Sequence, residues 1–151
     1  MLELATLADR EAVNTIAKQI HDMHVSWRPD IYQPVEEQFD EELFAEAIRN
    51  RQIYVAKISG EVAGFVALKR CTYDWPGVVK RRVMMVEEFG VHESCRNQGI
   101  GKAMMHGVIL RCKEMGIEKC YVNSFGWRRK FYNAAGFSTE DSIGFWHKII
   151  K

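Results

Sequence analysis

The chain has 151 residues, of which 47% are hydrophobic and 27% are charged, and its formal net charge at pH 7 is +1. A chain of this length predicts a single domain, residues 1–151, that buries most of its apolar surface without disulfide or metal cross-links. The composition is typical of a soluble globular protein, and the near-zero net charge argues against broad binding of nucleic acid.

Two other properties of the sequence favour a cytoplasmic protein. No apolar run is long enough to span a membrane, and residues 1–10 lack the charged-then-apolar order of a signal peptide. The cysteines show neither a C-x-x-C pairing nor the spacing of metal ligands. We therefore expect reduced thiols, no bound metal and no membrane partner. The four cysteines are Cys71, Cys95, Cys112 and Cys120.

The first half of the chain predicts a strand, two helices and a β-hairpin. Thr6 and Asp9 supply the hydroxyl and the acid of a capping box, and Asp40 is a typical N-cap residue. Two alternating segments flank the turn Ser59-Gly60-Glu61, as in a hairpin. The predicted elements are a strand at 2–6, a helix that begins near Thr6, a helix from Asp40 to about Asn50, and strands at 52–58 and 62–71.

Two segments between these elements carry aromatic side chains. Residues 26–38 hold two prolines together with Trp27 and Tyr32, without any periodicity. A loop of this length inside a compact domain is often functional. The turn at 73–77 adds a tyrosine and a tryptophan. Both segments are therefore candidates for contacting a ligand.

The second half of the chain predicts strands and helices in alternation. A stripe of apolar residues at helical spacing follows a glycine-containing turn and stops at Gly116. The predicted elements are a central strand at 82–91, a helix that ends at Gly116, a strand at 119–124, a short helix at 127–135, and closing strands at Phe137 and at 143–150.

The turn Arg96-Asn97-Gln98-Gly99-Ile100-Gly101 lies between the central strand and this helix. The first turn of a helix has backbone N–H groups without helical partners and carries partial positive charge, so it favours a phosphate group. Gly99 and Gly101 let the backbone approach a ligand closely, and Gly99 tolerates a positive φ. Arg96 and Lys102 add charge of the right sign. The turn is therefore a candidate phosphate site.

Two well-known phosphate loops do not fit this turn. A Walker loop needs glycine where Arg96 stands and a hydroxyl residue where Ala103 follows the lysine. The dinucleotide fingerprint lacks its third glycine, because Met104 occupies that position. The pattern that remains, Arg-x-x-Gly-x-Gly after a strand, resembles the acyl-CoA motif of the GNAT superfamily of N-acyltransferases. The segment 131–137, Phe-Tyr-Asn-Ala-Ala-Gly-Phe, resembles that family's Phe-Tyr-x-x-x-Gly-Phe.

This resemblance covers nearly the whole chain and implies a fold. The α/β (α+β) architecture of the family has a mixed central sheet that splays between strands four and five and is flanked by about four helices. The resemblance also implies acetyl-CoA as cosubstrate, with its pantetheine arm in the gap between those strands. The implied cofactor-binding residues are Phe89, Gly90, Val91, Arg96, Asn97, Gln98, Gly99, Ile100, Gly101, Lys102 and Asn123.

One position departs from the family pattern. Many relatives carry an asparagine seven residues before the tyrosine of the late motif, where this chain has Phe125. Asn123, two residues earlier, is the candidate substitute. Arg128 and Arg129 are candidates for reaching the phosphates of CoA, although exposure to solvent is the simpler expectation for both.

Three residues are candidates for the chemistry of acetyl transfer to an amine. An alkylamine near pH 7 is protonated, so a base must remove a proton directly or through water. Glu87 and Glu88 stand on the fourth strand where some relatives carry an acidic pair. Because adjacent strand residues face opposite sides, one of them is expected to act, with Glu87 preferred, unless a bulge alters their directions. Tyr132 occupies the family's position for the acid that protonates the leaving thiolate.

The acceptor is the least defined part of the prediction. Trp27, Tyr32, Tyr73 and Trp75 come from segments that line the acceptor side in this fold, and with the acidic pair they suit a small cation. The same aromatics suit core packing or a homodimer surface. A polyamine, an amino acid, an aminoglycoside-like amine and a protein N-terminus or lysine remain open as acceptors. A non-catalytic acyl-CoA sensor is the alternative of another class.

Overall fold

A computed structural model describes residues 2–124 and 128–138 of the chain. Within these residues, five strands form one sheet in the spatial order β1-β2-β3-β4-β5. The first four strands are antiparallel neighbours, whereas β5 pairs with β4 in parallel. The strands are β1 (Leu2–Leu4), β2 (Ile53–Ile58), β3 (Glu61–Tyr73), β4 (Arg81–Val91) and β5 (Lys119–Val122).

Four α-helices cover the two faces of this sheet in the described part of the chain. They are α1 (Arg10–Trp27), α2 (Glu41–Arg49), α3 (Ile100–Glu114) and α4 (Arg129–Ala134). Short 3-10 turns at Leu7–Asp9 and Glu93–Cys95 precede α1 and the turn to α3. The helix starts are those that the sequence predicts: the Asp9 carboxylate accepts from the Thr6 backbone N–H at 2.8 Å, and the Asp40 carboxylate accepts from the Leu43 N–H at 2.8 Å.

The sheet divides the apolar core into two layers. On one face α1 and α2 pack through Ile16 and Phe44 against Phe65 of β3, and all three side chains are buried. On the other face α3 and α4 pack through residues that include Met104 and Tyr132. This mixed sheet between helical layers confirms the predicted α/β architecture.

The pairing of β4 with β5 stops halfway along β4. The parallel register runs from Val83 opposite Lys119 to Val86 opposite Val122, and residues 87–91 continue beyond it. This is the predicted splay between the fourth and fifth strands. Its consequence is a gap beside the second half of β4, because that edge has no neighbouring strand among the described residues.

A β-bulge lies at the beginning of this gap. Ala67 of β3 pairs with Glu88, but the next residue, Leu68, pairs with Val86, so Glu87 is an extra residue in β4. The bulge exposes Glu87 and leaves Glu88 partly buried. The Glu88 side chain faces α1, since its β3 partner Ala67 belongs to the core layer formed with α1 and α2.

Element boundaries otherwise differ from the prediction by a few residues. Helix α1 continues to Trp27, slightly into the segment expected to be a loop, and the backbone leaves the helix at Arg28, directly before a proline. The predicted closing strand at 143–150 lies outside the described residues. No helix in the described ranges has the length and apolar character needed to cross a bilayer.

Candidate active site

The backbone between β4 and α3 forms a turn with free donors. Asn97 and Gly99 adopt left-handed φ values of 62° and 80°, which Gly99 accommodates without strain. Within the described ranges, the backbone N–H groups of residues 97–102 donate no backbone hydrogen bond of normal geometry. The space above Gly99 is open, because a Cβ built there would meet no atom within 4 Å. An anion could therefore reach these amides.

Arg96 is fixed at the base of this turn. Its Nε donates to the Val91 carbonyl oxygen at 3.1 Å, and its Nη1 lies 3.8 Å from the Met23 sulfur. Its Nη2 is buried and has no hydrogen-bond partner among the described residues. Arg96 thus uses its Nε donor to hold the end of β4, and its Nη2 donor remains available for a ligand. The neighbouring Lys102 side chain is exposed.

The β4 residues beside the gap have different roles. The ring of Phe89 packs 5.7 Å from the ring of Phe131 in α4. Gly90 is required by packing, because a Cβ there would lie 2.9 Å from Ile16 and 3.0 Å from Ile20. Val91 contributes its carbonyl to Arg96. The edge of β4 is thus held from both faces of the sheet.

A cleft of about 480 Å³ opens where β4 and β5 separate. All three predicted catalytic residues meet in it, since both glutamates and Tyr132 line it together with Asn123 and Tyr32. The walls come from α1, the loop between α1 and α2, β3, β4, β5 and the region of α4. The lining residues are Ala17, Ile20, His21, His24, Tyr32, Gln38, Phe65, Val86, Glu87, Glu88, Phe89, Val122, Asn123, Ser124, Arg128 and Tyr132.

The two glutamates have different environments in this cleft. Glu87 is exposed at the bulge. Glu88 is partly buried, and one of its carboxylate oxygens accepts a hydrogen bond from the Gln38 side chain at 2.9 Å. Burial raises the pKa of Glu88 above its ordinary value, although the bond from Gln38 and the nearby His21 act in the opposite direction. A carboxylate with a raised pKa inside a cleft is suited to accept a proton near neutral pH.

Tyr132 lies on the opposite wall. Its ring is 9% exposed and packs between the rings of Phe131 and Phe137, at centroid distances of 5.1 and 5.8 Å. Burial raises the pKa of its hydroxyl, and the positive charge of Arg128 opposes that rise. Tyr132 therefore keeps its proton at neutral pH and can donate it.

Of the four predicted acceptor-side aromatics, the structure brings Tyr32 into the cleft. Tyr32 stacks 5.2 Å from His24. Trp27 lies at the exposed end of α1, 5.8 Å from the guanidinium of Arg28. Neither Trp27 nor the remaining pair, Tyr73 and Trp75, is among the described residues that line the cleft.

Tyr73 and Trp75 form a pair of their own at the turn of the hairpin formed by β3 and β4. Their rings meet edge to face at 5.2 Å, and the Arg81 guanidinium lies 5.1 Å from the Tyr73 ring. Tyr73 pairs with Arg81 at the beginning of β4. Arg81 precedes Glu88 by about seven residues, which is roughly 23 Å along an extended strand. These two aromatics therefore lie away from the cleft.

Ten of the residues that line the cleft were not among the predicted site residues, and four of these ten have nitrogen-containing side chains. Gln38 lies in the loop before α2, His21 and His24 on α1, and Arg128 just before α4. His24 has a lowered pKa, because it is partly buried and lies near Arg128 and His21, and so it is neutral at pH 7.

A weak signal in the sequence pointed to Gln38, His21 and His24. The histidines share a helical face with buried apolar residues, and Gln38 belongs to the long loop. Arg128 was expected to be exposed, but it is partly buried in the cleft, whereas Arg129 is exposed. Phe125, at the family's asparagine position, lies outside the described residues, while Asn123 lines the cleft.

Comparisons with known proteins agree with this geometry. The model of the acetyltransferase (GNAT) family matches residues 18–137. The structure is similar to a mutant of the BH1408 protein from Bacillus halodurans, with a TM-score of 0.87 and 18% identity over 99% of both chains. A comparison with curated proteins gave no match.

Two further solved structures share the fold. Glucosamine-6-phosphate N-acetyltransferase from Arabidopsis thaliana has a TM-score of 0.65 and 18% identity, over 99% of this chain and 98% of that chain. A predicted acetyltransferase with acetyl-CoA from Clostridium acetobutylicum has a TM-score of 0.63 and 16% identity, over 99% of this chain and 95% of that chain. At such identities the likeness concerns the fold.

Proposed function

The chain belongs to the acetyltransferase (GNAT) family, whose members use acetyl-CoA, and from that premise we propose that it acetylates the primary amine of a small molecule. The observation that carries the proposal is the cleft in which a partly buried carboxylate, Glu88, and a protonated phenol, Tyr132, lie on opposite walls beside the open edge of β4. Binding of an acyl-CoA alone requires neither group, so this pair favours an enzyme over a sensor.

The acyl donor is proposed to bind along β4 and the glycine turn. The free amides of residues 97–102 and the cations Arg96 and Lys102 suit its pyrophosphate. The pantetheine arm is expected to follow the open edge at Phe89, Gly90 and Val91, with Asn123 on the opposite strand. A backbone N–H at this edge is the expected donor to the thioester oxygen as it gains negative charge.

The proposed reaction is a direct transfer with three proton movements. Glu88 takes a proton from the ammonium group of the acceptor, and the freed nitrogen lone pair attacks the carbonyl carbon of the thioester. The new C–N bond forms, the nitrogen loses its second proton to solvent, the C–S bond breaks, and Tyr132 donates its proton to the departing thiolate. Solvent restores the proton of Tyr132 and removes that of Glu88. The products are the N-acetylated amine and CoA.

The cleft favours a small acceptor over a protein. Its volume is about 480 Å³, and Tyr32 with the neighbouring His21 and His24 gives it an aromatic lining. Glu87 and Glu88 supply negative charge, and Tyr32 supplies a π face for a cation. Described residues include four free cysteines, which supports the reduced, cytoplasmic setting that we propose for the reaction.

The test of this function is a screen of amines. Purified protein is mixed with acetyl-CoA and, separately, with polyamines, amino acids, aminoglycosides, arylalkylamines and peptides with free N-termini, and the release of the CoA thiol is measured. We expect a small primary amine to accelerate thiol release, with the acetylated product seen by mass spectrometry. Acceleration by peptides alone would show a protein acetyltransferase, and acyl-CoA binding without acceleration by any amine would show a sensor.

A substitution at Gly99 tests the site of the acyl donor. Alanine at a φ of 80° is strained by about 1–2 kcal/mol, and because the turn is exposed it is expected to relax and misdirect its amides. To bind CoA, the variant turn must return to its native conformation, and the free-energy cost of that return is expected to weaken the affinity for CoA about tenfold. Isothermal titration calorimetry with CoA measures the effect.

Gly77→Ala is the matched control for this substitution. Gly77 has a φ of 81° and the same open surroundings, but it lies in the hairpin far from the glycine turn. We expect both variants to lose similar thermal stability and only Gly99→Ala to lose affinity. Equal affinities for CoA in the two variants would contradict the assignment of the turn.

A further inference from the structure

Glu88 is held by a residue distant in the sequence. The Nε2 group of Gln38 donates to the Glu88 Oε1 atom at 2.9 Å, across a separation of 50 residues. We propose that Gln38 is a positioning residue for the reaction, which orients the Glu88 carboxylate so that its second oxygen faces the acceptor. This inference rests on the proposed function, in which Glu88 is the base.

The loop that carries Gln38 is clamped to α1 at the next residue. The Asn14 side chain donates to the Phe39 carbonyl oxygen at 2.8 Å and accepts from the Phe39 N–H at 2.9 Å. Phe39 is 7% exposed, and its ring lies 6.0 Å from the rings of Phe44 and Phe65. The hydrogen bonds to Asn14 hold the Phe39 backbone and the ring contacts hold its side chain, so the residue next to Gln38 is fixed in position.

An ion pair reinforces the same segment. The Arg10 guanidinium pairs with Glu37, and it also donates to the Phe39 carbonyl oxygen at 3.3 Å. Gln38 thus stands between two residues that are tied to α1. Its side-chain amide therefore approaches Glu88 from a fixed base, as a positioning residue requires.

The hydrogen bond from Gln38 gives the two carboxylate oxygens of Glu88 different roles. An amide N–H donates, so Oε1 is occupied by a hydrogen bond that favours the ionised carboxylate. Oε2 is then left for the proton of the acceptor. Without Gln38 the carboxylate could rotate between several orientations, and only some of them would place an oxygen toward the amine.

The effect of Gln38 on pH dependence has a definite sign. The groups around Glu88 are Glu87 on β4, His21 and His24 on α1, Tyr32 in the loop, and Arg128 and Tyr132 at α4. Burial raises the pKa of Glu88, and the Gln38 bond is the largest influence that lowers it. Removing the bond raises the pKa further. Since the base acts when ionised, the acidic limb of activity then moves to higher pH.

Gln38→Met tests this inference, because methionine keeps the length of the side chain without its donor. The Glu88 carboxyl is followed by 13C NMR titration of protein labelled at glutamate side chains, with its signal identified by its absence in Glu88→Gln. We expect Glu88 to titrate at higher pH in Gln38→Met than in the native protein. Gln38→Ala provides a second variant if methionine disturbs the loop, which circular dichroism reveals.

Gln33→Ala is the matched control, since Gln33 is an exposed glutamine of the same loop. In Gln33→Ala, the Glu88 carboxyl is expected to titrate at the same pH as in the native protein. With the fastest amine of the screen, Gln38→Met is expected to lose about tenfold in kcat/KM at pH 7, as for loss of a hydrogen bond to a charged group, and to recover part of this at higher pH.

Two results would overturn the inference. One is an unchanged Glu88 titration in both Gln38 variants. The other is a loss of activity that is equal at every pH, which is the signature of a merely structural disturbance. The proposed function fails separately, when native protein acetylates no amine or when Glu88→Gln is as active as the native enzyme, whatever the titration of Gln38→Met shows.

Discussion

Replacing Glu88 with glutamine is expected to lower kcat by about 10²–10⁴-fold, the usual contribution of a positioned general base. Glutamine has nearly the same shape, and its carbonyl oxygen can still accept the hydrogen bond from Gln38. The fold and the affinity for acetyl-CoA are therefore expected to survive. Only the capacity to take a proton is removed. Initial rates of CoA release, measured against acceptor concentration, give kcat and KM separately.

Glu87→Gln is the matched control for this substitution. Glu87 is exposed on the bulge, so its loss is expected to change kcat by less than about threefold, because exposed charges interact weakly. The native enzyme should lose activity as the pH falls through the raised pKa of Glu88. A larger loss in Glu87→Gln than in Glu88→Gln would instead make Glu87 the base, as the sequence interpretation preferred.

Replacing Tyr132 with phenylalanine is the second change with a large expected effect, about 10²–10⁴-fold in kcat for loss of a general acid. Phenylalanine preserves the ring contacts with Phe131 and Phe137, so the core is expected to remain intact. Because burial raises the pKa of Tyr132 above its ordinary value, the native hydroxyl should stay protonated at and above neutral pH. Its contribution to the rate is expected throughout the neutral range.

The donor thioester provides a sharper test of Tyr132. A thiol more acidic than that of CoA needs less help from an acid when it departs, so an aryl thioester of acetate should be less sensitive to Tyr132→Phe than acetyl-CoA is. Tyr121→Phe is the control, since Tyr121 is a half-buried tyrosine outside the cleft. Unchanged turnover of acetyl-CoA in Tyr132→Phe at all pH values would remove Tyr132 from the proposed mechanism.

Local sequence was enough to predict the scaffold of the site. Strand and helix periods repeat every few residues, and helix starts depend on side chains such as Asp40 that bond to backbone three residues away. The turn proposed to bind phosphate is equally local, because the left-handed Gly99 and the amides after it belong to one short segment. The family resemblance of this segment and of the segment around Tyr132 then predicted which strands would separate.

The distinction between Glu87 and Glu88 needed the tertiary structure. Their identical chemistry and adjacent positions allow either to face the cleft, and the outcome depends on where β4 gains an extra residue against β3. That register is set by packing of both faces of the sheet. The position of two predicted aromatic residues has a related reason: Tyr73 and Trp75 belong to the same β3–β4 hairpin as the glutamates, but an extended strand carries them far from the cleft.

What the sequence by itself determined is therefore the order of elements, the glycine turn and the types of candidate catalytic group. What only the tertiary structure decided is which side chains meet. Gln38 reaches Glu88 across 50 residues, and the α1 histidines converge on the same cleft with Arg128, which directly precedes α4. Backbone conformation depends on near neighbours, whereas a cleft is formed by the packing of distant segments, and that packing leaves no periodic trace in the chain.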